Sequence, residues 1–175
     1  EFADVSRDLR DTPLTMDLNL SSVPDGAYAL EVEVLNGAAA IGRATLRVTL
    51  QKGLDARLAA LETAAAAAPS AVQADIRYPA DYLRRVNRGH MELGQFDLAR
   101  ELTTAETVAA ISRGGRNPFA GKTGGFERHY VLAAAGEIMP YRIFVPKTYD
   151  GSKATPLVVA LHGLGQTEDS WMDAY

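Results

Sequence analysis

With no cysteine among its 175 residues, the three histidines, the serines and the carboxylates are the first candidates for nucleophilic or acid–base chemistry in this chain. That absence removes thiolate nucleophiles, thiolate metal sites and disulfides. One recurrent device for presenting a serine nucleophile is a tight bend with glycine two residues to each side, G-x-S-x-G. Ser21, Ser22, Ser70, Ser112, Ser152 and Ser170 all lack those flanking glycines. His90, His129 and His162 lie 39 and 33 positions apart, so no paired-histidine metal spacing exists and no metal or organic cofactor is expected. His90 follows Gly89 near a helix end, and His129 reads as a surface residue at a hairpin edge. His162 sits in a glycine turn, where its ring is expected to brace the loop by a hydrogen bond. Glu31 and Glu33 alternate along a strand and read as its wet face.

Two glycine-rich stretches invite a ligand. RNPFAGKTGG (116–125) contains Gly-Lys-Thr, but a phosphate-binding loop needs a further glycine five residues before Gly121, where Arg116 stands. Gly124 and Gly125 would also break the helix that must follow. The stretch therefore reads as a flexible linker. PLVVALHGLGQTEDSW (156–171) is better placed, with a continuously apolar run leading into His162-Gly163-Leu164-Gly165 and then Thr167, Glu168 and Asp169, which read as helix-start residues before Trp171. Glycine allows the backbone to turn sharply and approach a reacting carbonyl without a Cβ in the way. An amide aimed at an oxygen that gains negative charge lowers the barrier by about 3–4 kcal/mol.

The elements that must position this turn fall into three zones. Residues 13–51 show period-two alternation: Leu14, Met16, Leu18 and Leu20; Tyr28, Leu30, Val32 and Val34; Leu46, Val48 and Leu50. This predicts three half-buried strands separated by turns at SSVPDG and LNGAAAIG. Three strands do not close a sandwich, so the zone reads as part of a larger β-domain. Residues 54–112 take the helical period. Leu54, Leu58 and Leu61 start one helix, and Ser70, placed as an N-cap after Pro69, starts a second that Pro79 interrupts. A third helix is expected from Asp81 towards Leu93, and a fourth carries Leu98, Leu102, Ala105 and Ala109 in one stripe. After a linker at 113–127, HYVLAAAG and EIMPYRIFVP predict an antiparallel hairpin. PLVVALHG predicts a strand buried on both faces.

The composition is that of a globular chain, 47% hydrophobic and 23% charged, with a net charge of −4. An acidic balance with scattered basic residues excludes general nucleic-acid binding. No apolar run is long enough to span a membrane.

PYRIFVPKTYDGSKATPLVVALHGLGQTEDSW resembles the opening of the α/β-hydrolase serine esterases related to polyhydroxybutyrate depolymerases, feruloyl esterases and prolyl-oligopeptidase-like hydrolases. Tyr141, Arg142, Phe144, Val145 and Pro146 match the first half of the motif, and Pro156 to Gly163 the second. The match is close over about residues 126–175, and DGAYALEVEV resembles a late strand of immunoglobulin-like modules. The resemblance implies a multidomain α and β chain: residues 1–52 end an immunoglobulin-like β-domain, 53–113 form a helical connector, and 114–175 open an α/β-hydrolase domain. It implies that Leu164, with Gly165 next, supplies oxyanion-hole amides and that Gly163 is the turn. In that family the nucleophilic serine, the acid and the histidine all follow this strand, so the chain reads as a fragment of a bacterial carboxylic-ester hydrolase. The implied partner is a small-molecule or polymeric ester, with export to the periplasm or medium. A prolyl-oligopeptidase-like peptidase and a binding protein with a vestigial hydrolase domain remain open alternatives. The unpaired strands predict self-association into homo-oligomers.

Overall fold

The structure is a computed structural model and describes residues 17–94 and 96–172. It has mixed α and β content and divides into two compact units at Lys52/Gly53.

The first unit is an antiparallel hairpin of β1 (Gly26–Asn36) and β2 (Ala39–Leu50). Its register sets Tyr28 opposite Val48, Leu30 opposite Leu46 and Val32 opposite Ala44, so the alternating apolar residues share one face. Gly37, at φ 62, makes the turn, and the Ala-rich segment expected to be turn enters β2 instead. Asp25 closes the open end, accepting from Gln51 Nε2 (2.8 Å) and the Lys52 amide (3.0 Å). The expected first strand is not seen at Asp17–Leu20, and Leu14 and Met16 lie outside the described residues.

In the second unit α1 (Leu54–Ala67), α2 (Ser70–Asn87) and α3 (Leu98–Ser112) enclose an apolar core of Leu61, Ala65, Val72, Ile76, Leu98 and Leu102, with Ala105, Val108 and Ala109. The α3 stripe read from the sequence is buried throughout. Two expectations fail on α2. Pro79 does not interrupt it, and one helix runs to Asn87 where two were expected, the second reaching Leu93. A proline inside a helix costs about 3 kcal/mol. Here Val72, Ile76 and Pro79, at i, i+4 and i+7, are all buried, and that packing offsets the cost. Ser70 is the first helical residue rather than the cap, which is Pro69, without a side-chain bond. Asp97 caps α3 by accepting from the Arg100 amide at 3.0 Å.

The hairpin of β3 (Gly124–Leu132) and β4 (Glu137–Val145) is as expected, but β3 starts inside the segment read as linker. That segment is also fastened to the fold: Phe119 packs on the helical core and Lys122 Nζ lies 4.7 Å from the Phe126 ring centre.

The larger correction concerns residues 156–162. They form neither helix nor strand and pair with no strand among the described residues, and Leu157, Val158, Val159 and Leu161 are 85, 86, 74 and 85% exposed. A run of apolar residues becomes a buried strand only when neighbouring strands accept its backbone hydrogen bonds and cover both faces. The β3–β4 sheet has two strands and does neither for it.

Candidate functional site

The HGLG turn joins this exposed apolar segment to the short helix α4 (Glu168–Met172). Gly165 adopts φ 78, a left-handed conformation that disfavours any side chain. His162 Nδ1 donates to the Gly163 carbonyl at 3.0 Å, the brace expected from the sequence. Gln166 closes the turn from the other side: its Oε1 accepts from the Gly163 amide (3.1 Å), and its own amide donates to the Gly163 carbonyl (3.2 Å). Gly163 is thus internally satisfied, whereas the Leu164 amide has no acceptor among the described residues. The Leu164 side chain is fully exposed.

Helix α4 is held at both ends of its first turn. Thr167 and Ser170 cap it reciprocally, the Thr167 amide donating to Ser170 Oγ at 3.0 Å and the Ser170 amide to Thr167 Oγ1 at 3.4 Å. Arg142 Nη1 of β4 then reaches Asp169 Oδ1 at 2.7 Å and ties the helix to the hairpin.

A second constellation was not legible in the spacing. The α2 face opposite its apolar stripe carries Asp75, Tyr78, Asp81 and Arg85, all buried. Asp75 Oδ1 accepts from the His129 amide at 2.9 Å, and its two oxygens take three contacts of 3.0–3.2 Å from Arg128. His129 stands opposite Pro140 in a pair whose N–H positions face away from the partner strand, which tolerates the proline and leaves the His129 N–H to donate to the helix. Asp81 Oδ2 accepts from the Ile138 amide at 3.0 Å while Arg85 Nη2 donates to the Ile138 carbonyl at 3.0 Å. Two buried carboxylates and one guanidinium thus satisfy backbone groups of the hairpin and fix it on the helix.

His129 is the residue most misplaced by sequence reasoning. It is buried, not at the surface, with its ring stacked 3.9 Å from that of Tyr78. Its Nδ1 lies 3.3 Å from Asp75 Oδ1 and its Nε2 3.1 Å from Glu127 Oε1. Burial opposes the imidazolium, but the carboxylates of Asp75 and Glu127 on either side of the ring outweigh it and hold the pKa above the usual histidine value. His129 in turn holds Glu127 below the usual carboxylate range. Glu101 of α3, buried beside Glu127, is pushed up by desolvation and then by that like charge. Burial raises the Tyr78 phenol. Asp75, Glu101, Glu127 and His129, with Arg100 and Thr104, line a cleft of about 450 Å³.

Glu101, Glu127 and His129 have ligating atoms within 4.8 Å of one another, and so do Glu127, Glu168 and Asp169. No serine is among the groups assembled here, and His162 contacts the Gly163 carbonyl of its own turn. Comparison with protein-family models, curated proteins and solved structures finds no match to this chain. No helix among the described residues is long and apolar enough to cross a membrane.

Proposed function

We propose that this chain is part of a serine hydrolase acting on carboxylic esters through an acyl-enzyme, and that it supplies the oxyanion-hole turn. The free Leu164 amide carries this reading. It sits in an exposed glycine turn between an exposed apolar segment and a capped helix, and the neighbouring Gly163 amide is already used to stiffen the turn. A preorganised donor of this kind stabilises a tetrahedral oxyanion without reorganising as the charge develops. The exposed faces of Leu157 to Leu161 support the same reading, because a strand of a mostly parallel sheet presents apolar residues on both sides. The β1–β2 hairpin is then part of an immunoglobulin-like module, the three helices form a connector, and β3–β4 open the hydrolase sheet. The serine, its histidine base and the orienting carboxylate come from outside these residues.

The test uses the complete protein, with a fluorophosphonate probe and short-chain aryl esters. Labelling and turnover are expected. Leu164→Pro, which deletes the amide, should lower kcat about 10²- to 10³-fold, whereas Leu164→Ala should retain activity. An absent adduct overturns the catalytic reading in favour of a binding protein. Turnover of peptides but not esters moves the assignment to the peptidase class.

A further inference from the structure

We propose that Glu101, Glu127 and His129 form a binding site for a divalent transition-metal ion, with Zn²⁺ the best fit to their donor atoms, at the floor of the cleft beside α3. The site is independent of the HGLG turn and of any hydrolase activity. One imidazole nitrogen and two carboxylate oxygens are suitable donors for Zn²⁺, and the open side of the cleft leaves a position for water.

The buried imidazole points to a missing ligand. Nε2 of His129 has no solvent exposure and no hydrogen-bond partner, because Glu127 Oε1, although 3.1 Å away, is out of line for one. It faces the carboxylates while Asp75 braces Nδ1, the carboxylate–histidine arrangement that orients metal-binding imidazoles.

A positive charge is already required at this point. The Arg100 guanidinium sits 2.8 Å from Glu101 Oε1 and 3.6 Å from Glu127 Oε2, spanning the two acids. Its side chain is 57% exposed, so it can withdraw into solvent as an ion enters.

The experiment takes the 175-residue chain, stripped with a chelator, and titrates it with Zn²⁺ by calorimetry. Co²⁺ serves as a spectroscopic probe of coordination. One ion per chain is expected. Glu101→Gln and His129→Gln should each weaken binding about 10-fold or more. Arg100→Gln should tighten it by removing the competing cation, an effect that an ion-pair network without a metal site does not give. If His129→Gln fails to fold, Glu101→Gln and Arg100→Gln decide. Absent one-to-one binding, binding untouched by Glu101→Gln, or weaker binding in Arg100→Gln overturns the proposal.

Discussion

Replacing Asp75 by alanine tests how the helical layer holds the hairpin. The carboxylate is buried and serves the His129 amide at 2.9 Å as well as the Arg128 guanidinium at 3.0–3.2 Å. Truncation leaves the amide without an acceptor, which costs about 1–3 kcal/mol for a buried donor. It also strips Arg128 of its counter-charge, and breaking a buried pair from one side costs about 3–5 kcal/mol. Arg128 keeps the Ala71 carbonyl at 2.6 Å and its stacking over Phe119 at 3.9 Å, so the low ends of both ranges, about 4 kcal/mol in all, are expected. Asp75→Asn preserves an oxygen for the amide and should lose only about 1–2 kcal/mol. Urea unfolding gives the total, and amide exchange locates it. In Asp75→Ala the His129 amide should exchange about 100-fold faster, from ~1.4 kcal/mol per tenfold, with a smaller change at Ile138, which Asp81 holds. Asp81→Ala should reverse the pattern. A loss within about 0.5 kcal/mol, the range of an ordinary surface substitution, with His129 protection unchanged, would refute the reasoning.

Arg142→Gln cuts the tie between β4 and α4. Both partners are partly exposed, so about 0.5–1 kcal/mol is expected, read as several-fold faster amide exchange over residues 168–172 while β3 is unaffected. Val158→Lys places a charge in the exposed apolar run and should reduce self-association of the chain in light scattering. Unchanged particle size would remove that segment as the adhesive surface. Leu102→Ala empties a fully buried position between α2 and α3 and should cost about 2–5 kcal/mol in urea unfolding.

What the sequence alone determined is what neighbouring residues decide among themselves. Alternation along 28–34 and 46–50 specified the β1–β2 face because strand side chains alternate with period two. The stripe from Leu98 to Ala109 specified α3 for the equivalent helical reason. The HGLG turn was legible because His162 and Gln166 bond groups one to three residues away. Contacts between residues far apart in the chain needed the tertiary structure. Pro79 looked like a helix end because local propensity disfavours it, and only burial against the other helices keeps α2 whole. With α2 divided, Asp75, Tyr78, Asp81 and Arg85 could not be seen as one face; read as a single helix, their i, i+3, i+6 and i+10 spacing would have shown it. His129 gave no sign of burial, since Asp75 and Tyr78, which cover it, lie far back in the chain on α2 and its neighbour Glu101 on α3. Residues 156–162 show the converse. Composition specifies a segment able to be a strand, but a strand exists only where another backbone accepts its hydrogen bonds, and that is a tertiary property.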